Sequence, residues 1–472
     1  MTTEALALLP IIDKGLPPAA KPRRVIVVGA GMAGLVTAYE LKRAGHEVVL
    51  LEARQRVGGR VHTLREPFMP GLCAEAGAMR LPRAHSLTMA YVEKFKLPLI
   101  PFTMSNPSAY CHIEGRRCRQ SELPPNIDSF GFERADHERG KMPAQMFDEA
   151  IHAIVQKLDT EGDAAWPEIV AQYDQYSTRE FLEHCQWSDG AIELYGLLAN
   201  QESRMNTSFV ELLRSEISHS FRDMYQVPGG LDQLPHAFLP ELGEHIHFGA
   251  RLTALDQSPD NVTIHYQTLA GRGQVSGDYA VITVPFSVLR HIEVLKPFSH
   301  NKQRAIRQLH YDASAKIFLQ CKRRFWEIDE GIFGGSTTTD LAIRNLYYPE
   351  QGRETGHGIL LASYTWSEDA QRWGSLTPEE RIIQAVENVA EIHPQVSGEF
   401  EVGASKMWHD DEFAGGAFVL FEPEQQTQLH QHIIAPEGRI YFAGEHCSLT
   451  HRWIQGAIES GLRAARDINS AP

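Results

Sequence analysis

A glycine-rich turn between a predicted strand and a predicted helix constrains the fold of this chain more than any other feature. An apolar run at residues 25–28 is followed by three glycines, Gly29, Gly31 and Gly34. A second apolar run at residues 48–51 is followed directly by an acid, Glu52. The spacing Gly-x-Gly-x-x-Gly between a strand and a helix is typical of a dinucleotide-binding unit. Such a unit belongs to a parallel sheet covered by helices, so the turn predicts an α/β fold.

Each glycine of this turn has its own predicted role. Gly29 permits the tight turn, Gly31 lets the backbone approach a pyrophosphate, and Gly34 lets the helix pack closely on the strand. The helix N-terminus attracts the phosphate charge. Glu52 is placed to accept hydrogen bonds from an adenosine ribose. The turn does not distinguish one dinucleotide from another, and a glycine turn in an ordinary α/β protein is the alternative.

Composition excludes several other classes of protein. The 472 residues suffice for two or three domains. Lys and Arg total 45 against 60 Asp and Glu, a net charge of −15, which argues against nucleic acid as a partner and offers no basic patch to an anionic membrane. No run of about 18 apolar residues occurs, so no membrane span is predicted.

The chain start and the cysteines suggest a cytoplasmic protein. Residues 1–22 lack a basic leader and a long apolar run, so no signal peptide is predicted; they are expected to form a surface arm laid across another domain. Six scattered cysteines form no Cys-x-x-Cys pair, which favours reduced thiols. His446 and His451 have metal-like spacing but no third ligand nearby, and no metal site is predicted.

Two further stretches look like parts of the same nucleotide-binding domain. Arginines flank the pair Gly58-Gly59, which predicts a second phosphate-facing loop. Residues 439–445 form another short apolar strand that ends in Gly444 and Glu445, and residues 453–468 have the periodicity of an amphipathic helix. The first hundred residues and the last 35 are therefore expected to meet around one cofactor.

Several strings taken together resemble flavin amine oxidases of the monoamine oxidase type. They are Gly29-Ala-Gly-Met-Ala-Gly34, Glu52-Ala-Arg54, Gly58-Gly-Arg60, Ala443-Gly-Glu445 and Ser460-Gly-Leu-Arg-Ala-Ala-Arg466. Within that superfamily a second set resembles the flavin-dependent L-amino-acid oxidases, namely Gly77-Ala-Met-Arg80-Leu-Pro82, Leu309-His-Tyr311, Ala315-Lys-Ile-Phe318, Thr338-Thr-Asp340, Tyr347-Tyr-Pro349 and Trp453-Ile454. The resemblance covers residues 23–469.

The resemblance implies an α/β plus α+β fold with three domains. These are a discontinuous Rossmann-type FAD-binding domain, a substrate-binding domain built on a mixed sheet and an inserted helical domain. The expected boundaries are 23–72, 229–300 and 431–472 for the FAD-binding domain, 73–120 and 301–430 for the substrate-binding domain, and 121–228 for the helical domain.

The resemblance also implies FAD as the cofactor. The positions that match flavin-contacting ones are Gly29, Gly31, Met32, Ala33, Gly34, Glu52, Ala53, Arg54, Gly59, Arg60, Gly77, Ala78, Met79, Arg80, Leu252, Gly444, Glu445, Trp453, Ile454 and Ala457. Leu252 would act through its backbone. Ala417 stands where monoamine oxidases carry the cysteine that attaches FAD, so the flavin is expected to be non-covalent.

Four residues are implied to carry the chemistry. Arg80 and Tyr364 match the pair that grips a substrate carboxylate, Trp453 matches an aromatic wall of the substrate pocket, and Lys316 matches the lysine that holds a water against flavin N5. Arg452 stands where secreted L-amino-acid oxidases have glycine, which adds bulk and charge near the mouth of the substrate pocket and leaves the substrate range open.

Each of these residues also has a simpler interpretation. Arg80 could be a surface residue or a partner of an acid, because arginine is mostly exposed. Tyr364 could be a half-buried strand tyrosine, with Ser363 as the residue in the family's position. Lys316 could be an edge-strand lysine that discourages aggregation, and Trp453 could belong to a core.

The expected reaction is oxidation of L-amino acids to 2-oxo acids with release of ammonia and H2O2, with preference for apolar or aromatic side chains. The alternatives are an amino-acid monooxygenase, which forms an amide with loss of CO2, and an amine or polyamine oxidase. A flavin-bound scaffold is the non-enzyme alternative. A homodimer is expected, with residues 121–225 as a dimer contact or a substrate funnel.

Overall fold

The computed structural model describes residues 3–471, and a five-stranded parallel sheet carries the glycine-rich turn. In spatial order its strands are Ile246–Phe248, Glu47–Glu52, Arg24–Val28, Tyr279–Ile282 and Ile440–Phe442. In the strand before the turn, Val25 and Val27 enter one core, and Ile26 and Val28 enter another. Such a sheet is buried on both faces and needs cover on both.

One face of this sheet is covered by helices from opposite ends of the chain. Helices Met32–Arg43 and Ile454–Asn469 pack together so closely that a Cβ on Gly461 would lie 2.6 Å from the Ala33 carbonyl oxygen. Helix Thr3–Lys14 buries Leu8 and Ile12 in the same core. The expected N-terminal arm is therefore a docked helix.

The other face is covered by an antiparallel sheet and helices. The four strands are Gly271–Gly277, Val262–Thr268, Arg251–Gln257 and Glu293–Val294, the last of which runs parallel to its neighbour. Helices His300–Gln308 and Gln425–Ile434 add apolar side chains to this second core.

A seven-stranded mixed sheet forms the second large unit. In spatial order its strands are Phe400–Met407, Ser314–Cys321, Gly358–Trp366, Asn345–Tyr347, Ser336–Thr339, Tyr110–Ile113 and Arg116–Arg119. Helices Phe325–Ile328, Ser367–Gly374, Pro378–Ile392 and Val396–Glu399 accompany it. A core of its own covers one face, and the other face turns partly toward the cavity described below.

The third unit is helical and has a separate core. Its helices are Leu123–Asn126, Pro143–Glu161, Trp166–Tyr173, Thr178–His184, Asp189–Leu198 and Phe209–Ile217. Phe181 and Phe209 stack at its centre with ring centroids 3.5 Å apart. No helix within residues 3–471 has the length and apolar character needed to cross a membrane.

Short elements connect the three units. Small sheets pair Thr63–Leu64 with Ala74–Glu75, Tyr311–Asp312 with Phe418–Val419, and Met224–Gln226 with both Leu81–Pro82 and Ile100–Pro101. The remaining helices are Ser86–Lys94, Gln233–His236, Leu239–Leu242 and Phe286–Leu289. The predicted fold class, with its discontinuous parallel-sheet unit, mixed-sheet unit and helical insertion, is confirmed. The residue boundaries of the domains stay predictions.

Candidate functional site

A cavity of about 800 Å³ lies where the three units meet. All five strands of the parallel sheet contribute residues to its wall at or just beyond their carboxyl ends, namely Gly29, Glu52, Ala250, Thr283 and Gly444. Ligands of open α/β sheets bind at this edge. The volume lies at the large end of the range for ligand sites, about 300–1,000 Å³.

The glycine-rich turn forms one end of the cavity. Gly29 has φ +109°, which a side chain tolerates poorly, and a Cβ on Gly34 would lie 1.9 Å from the Gly29 carbonyl oxygen. A Cβ on Gly31 would point into open space, so its backbone faces the cavity without obstruction. Gly34 packs under the turn and is the one predicted cofactor position that does not line the cavity.

Glu52 holds this end together through backbone groups. Its carboxylate accepts hydrogen bonds from the Ala30 N–H at 2.7 Å and from the Arg54 N–H at 2.8 Å. Burial raises the pKa of Glu52, and the two N–H donors oppose that rise. The acid thus links the glycine turn to the loop that follows the second strand.

The arginines of the predicted phosphate-facing loop line the cavity but have protein partners. Arg60 donates to Glu445 at 2.8 Å and to the Ala417 carbonyl at 2.9 Å, which ties the first part of the chain to the last. Arg54 pairs with Asp411. Both guanidinium groups are therefore fixed before any phosphate arrives.

Arg80 projects into the cavity without an acidic partner. Within residues 3–471 it forms no ion pair, and its hydrogen-bond contact is a weak one, to the Met104 sulfur at 3.3 Å. Its guanidinium carbon lies 5.7–5.9 Å from the ring centres of Phe102, Phe221 and Tyr347. Aromatic faces can hold a cation but leave its five N–H donors free for a planar acceptor such as a carboxylate.

Lys316 lies in the interior of the mixed sheet, with a paired strand on each side. The edge-strand alternative is therefore wrong. Its amine donates to the carbonyl oxygens of Glu75 at 2.9 Å and Gly77 at 2.7 Å, and it lies 4.4 Å from the centre of the Tyr364 ring. Burial lowers the pKa of Lys316 to about 7, a shift that Glu75 opposes and the neighbouring Arg80 charge assists.

Strand alternation places Tyr364 in the cavity wall and Ser363 away from it. Ser363 is fully buried and donates to the Ile343 carbonyl at 3.1 Å. Tyr364 and Trp366 share the opposite face, with ring centroids 4.3 Å apart, and both line the cavity. Tyr364, not Ser363, is the residue of this strand that faces a ligand.

The segment before the last helix closes the cavity. Trp453 lies edge-on to His85 and Phe221, with ring centroids 4.9 and 5.7 Å away. Arg452 has φ +70°, a left-handed conformation that glycine adopts with less strain, and its guanidinium donates to Ser215 at 2.6 Å. Burial lowers the pKa of Arg452 to about 10.

Comparisons with known proteins agree on one family. A sequence profile described as flavin containing amine oxidoreductase matches residues 32–469. The chain belongs to this family.

Two curated relatives illustrate the similarity within the family. YobN of Bacillus subtilis (strain 168), whose name gives L-amino-acid oxidase activity only provisionally, is 41% identical over 98% of both chains. The L-amino-acid oxidase of Pseudechis australis is 37% identical over 98% of this chain and 90% of that protein.

Solved structures of two amine oxidases share the fold at low sequence identity. Putrescine oxidase bound to putrescine superposes with a TM-score of 0.76 at 19% identity, covering 96% of this chain and all of that one. Cyclohexylamine oxidase from Brevibacterium oxydans IH-35A gives 0.75 at 17% identity, covering 95% and 99%. At these identities the likeness shows the architecture alone.

The residues present fit the flavin of this family. The open space at Gly31 suits a close approach of phosphate to backbone, and helix Ile454–Asn469 begins at the cavity with no acid in its first turn and no side-chain cap. Its free N–H groups and dipole favour a ligand atom that carries negative charge. No cluster of metal-binding side chains occurs among the described residues.

The structure also brings together residues that the sequence did not single out. Arg204 and Glu216 from the helical unit, and Trp366 from the mixed sheet, line the cavity. Tyr347 lines it too; it lies in one of the strings that carry the resemblance, but no role was predicted for it. Trp366 could have been found, because it is two residues from Tyr364 on the same strand. Arg204 and Glu216 carry no sequence signal, since they approach the cavity only through tertiary packing.

Proposed function

We propose that this protein is an FAD-dependent oxidase of L-amino acids. Arg80 carries the proposal, because a guanidinium that lacks an acidic partner in the described chain projects into the cavity beside Tyr364 and Lys316. A carboxylate is the natural partner for its fork of donors, and simple amines lack one. The names of the curated relatives support the same activity.

The proposed position of FAD rests on the chemistry of the residues that line the cavity. The ribose would meet Glu52, the adenine would meet the backbone at Leu252, and the pyrophosphate would meet the turn at Gly31. The isoalloxazine ring would lie among the bent segment 77–80 and the helix start at Trp453. The chemistry that FAD would supply there is the two-electron oxidation of the substrate, coupled to reduction of O2 with two protons to H2O2.

The attachment of FAD is proposed to be non-covalent. Ala417 lines the cavity at the position where the resemblance places a linking cysteine, and no cysteine of the described chain is among the lining residues. Acid precipitation would test this point. We expect the yellow colour to remain in the supernatant.

Arg80 and Tyr364 would orient the substrate. The guanidinium would bind the α-carboxylate through two parallel hydrogen bonds, and the tyrosine hydroxyl would add a third. Burial raises the pKa of Tyr364, so the hydroxyl keeps its proton and acts as a donor at neutral pH. Fixing the carboxylate fixes the direction of the Cα–H bond, and orientation supplies much of a catalytic gain.

The charge state of Lys316 decides what it offers to the cavity. Its amine already donates to two carbonyls, so a third N–H exists only when the group is protonated. That third N–H would hold a water or stabilise negative charge developing on oxygen. With a pKa of about 7, the protonated form is well populated at and below neutral pH.

No side chain is required as the base that activates the substrate. His85 lines the cavity, but burial lowers its pKa to about 3, and its ring is bonded to Ser220 at 3.0 Å. A base this weak removes few ammonium protons at neutral pH. The substrate would instead lose its ammonium proton to solvent before the hydride leaves, and water would then replace ammonia in the oxidised product.

Anaerobic mixing with L-amino acids, D-amino acids and primary amines tests the proposal. We expect L-amino acids alone to bleach the flavin absorbance, and ammonia, a 2-oxo acid and H2O2 to form in equal amounts once air is admitted. Bleaching by amines alone would assign an amine oxidase. Amide and CO2 without H2O2 would assign a monooxygenase, and no bleaching at all would contradict an enzymatic role.

The assembly and location are proposed on separate grounds. All six cysteines are unpaired thiols, which suits a reducing compartment such as the cytoplasm. A homodimer stays a prediction, and sedimentation at several protein concentrations tests it.

A further inference from the structure

A second guanidinium faces the substrate end of the cavity from the helical unit. Arg204 lies in the single helical turn Glu202–Arg204 and lines the cavity. Its contact to the Asn200 carbonyl is long, 3.4 Å, and its Nε has no hydrogen-bond partner. It forms no ion pair within residues 3–471. Burial lowers the pKa of Arg204, which means that enclosing this charge costs free energy.

A row of aromatic rings separates Arg204 from Arg80. Tyr347 lies 5.8 Å from the Arg80 guanidinium carbon and 6.3 Å from the Tyr364 ring centre. Trp366 follows 4.3 Å from Tyr364, and the Arg204 guanidinium carbon lies 5.4 Å from the Trp366 ring centre. The two arginines therefore stand at opposite ends of one wall, and the proposed carboxylate ligand Tyr364 lies between them.

Arg452 adds to the positive charge at the Arg204 end. Burial, together with the charge of Arg204, lowers the pKa of Arg452, and Tyr364 is close enough to act on the pKa of both arginines. Arg452 also keeps a left-handed backbone, φ +70°. A strained backbone and two like charges persist together only if something compensates for them.

The acids of the same wall do not neutralise Arg204. Glu216 and Asp148 line the cavity, but neither forms an ion pair with Arg204 or Arg452 in the described part of the chain. Burial outweighs the attraction of Arg204 to Asp312 and Glu216, and that of Arg452 to Glu211 and Glu216. Since none of these acids forms an ion pair with Arg204 in the described part of the chain, the Arg204 guanidinium keeps N–H donors for a ligand.

We propose that Arg204, supported by Arg452, is a subsite for an anionic group on the substrate side chain. The favoured substrates would then be L-amino acids that carry a second carboxylate. Arg80 would bind the α-carboxylate, the aromatic row would cover the methylene groups, and Arg204 would bind the distal carboxylate. This inference rests on the proposed L-amino-acid oxidase activity, and it replaces the sequence-based expectation of apolar or aromatic side chains with one of acidic side chains.

L-Glutamate and L-glutamine form the matched test, because they differ in side-chain charge at nearly constant shape. We expect kcat/KM for L-glutamate to exceed that for L-glutamine by about tenfold or more, since charge-assisted hydrogen bonds are roughly twice as strong as neutral ones and a site built for them rejects analogues that lack them. The kcat/KM for L-lysine tests the opposite possibility, that Glu216 selects substrates with a cationic side chain.

Substitutions of Arg204 test whether this side chain causes the preference for L-glutamate over L-glutamine. We expect Arg204→Met to reduce the glutamate-to-glutamine ratio to about one, mainly by raising KM for L-glutamate, and Arg204→Lys to keep part of it. Arg214→Met is the control, because Arg214 is an enclosed arginine of the same unit that lies over Trp166, 3.7 Å from the ring centre, outside the cavity. Calorimetric titration with glutarate and butyrate measures binding without turnover and should show the same selectivity.

The outcomes separate this inference from the proposed function. If L-leucine or L-phenylalanine bleaches the flavin but L-glutamate is no better than L-glutamine in the wild-type protein, the second subsite is wrong and the oxidase stands. A preference for L-lysine overturns it likewise. If no L-amino acid bleaches the flavin, the proposed function itself fails. The wild-type comparison decides the matter even if Arg204→Met does not fold.

Discussion

The two ends of the cavity are built in opposite ways. At the cofactor end, one short segment supplies a glycine turn, a helix start and Glu52, and backbone groups do most of the binding. At the substrate end, single side chains arrive from distant parts of the chain, namely Arg80, Arg204, Lys316, Tyr364 and Trp453. The first end depends on local conformation, and the second depends on how three units pack.

This difference determines how each end should respond to substitution. A change in the cofactor end disturbs a backbone path and should affect folding and flavin content together. A change in the substrate end removes one functional group from a cavity that keeps its shape, so it should alter rates while the protein stays folded. The predictions below test that division, in order of decreasing effect.

Gly34→Ala is expected to have the largest effect. The added Cβ would lie 1.9 Å from the Gly29 carbonyl oxygen, a backbone atom that cannot move without reshaping the turn. We expect loss of about 1–3 kcal/mol of stability and of most bound flavin. The ratio of flavin to protein absorbance after purification measures the result.

Gly243→Ala is the matched control for this prediction. A Cβ there meets nothing within 4 Å, so flavin content should be unchanged. If Gly34→Ala binds a full complement of flavin, the backbone of the turn can shift to accept the added Cβ, and the prediction is wrong.

Arg80→Met should lower kcat/KM for L-amino acids by about 10²–10³-fold, because the substrate carboxylate would be enclosed without its partner. Flavin content and melting temperature should change little, in contrast to Gly34→Ala. Arg83→Met is the control, since Arg83 is an exposed arginine three residues away whose contact is to the Tyr225 hydroxyl. Unchanged turnover in Arg80→Met would remove the basis of the proposed activity.

Lys316→Met should slow reoxidation by O2 by about 10²-fold while flavin bleaching by substrate changes less. Stopped-flow measurement of the two half-reactions separates these effects. Lys302→Met is the control, because Lys302 is equally buried but donates to the Ile433 carbonyl outside the cavity. A reoxidation rate that falls as much in the Lys302 variant would show a structural origin.

The pKa of Lys316 also predicts two pH dependences. Reoxidation should slow as pH rises through about 7, because the third N–H is lost with the charge. The folded-state pKa lies below the ordinary value of 10.5, so between these pH values the unfolded chain binds more protons than the folded protein. The contribution of Lys316 to the free energy of unfolding therefore rises with pH across that window. Lys316→Met should flatten both profiles.

Tyr364→Phe should have the smallest effect, a loss of about 2–10-fold in kcat/KM, because one hydroxyl hydrogen bond is removed and the ring remains. Ser363→Ala is the control and should leave kcat/KM unchanged, since Ser363 faces away from the cavity. If Ser363→Ala has the larger kinetic effect, the orientation of this strand toward the ligand is wrong.

The sequence pointed to the cofactor end through local spacing and to the substrate end only through the resemblance to a family. Gly29, Gly31 and Glu52 line the cavity as their spacing indicates, because their positions depend on neighbours within 25 residues. Lys316 was singled out as a charge in an apolar strand, yet its place in the sheet interior was not predicted, because strand order depends on long-range pairing. Arg204 was missed altogether, because an isolated arginine in a helical insertion looks like any surface arginine.

By itself the sequence determined the glycine turn, the acid that follows it, the helix that ends the chain and the family. These features are encoded by local spacing, which a linear string displays directly. Only the tertiary structure decided that Arg80 has no acidic partner among residues 3–471, that Tyr364 rather than Ser363 faces the cavity, and that Arg204 stands at the far end of the aromatic row. Partnership and direction of a side chain depend on contacts between residues far apart in the chain, and no local pattern carries that information.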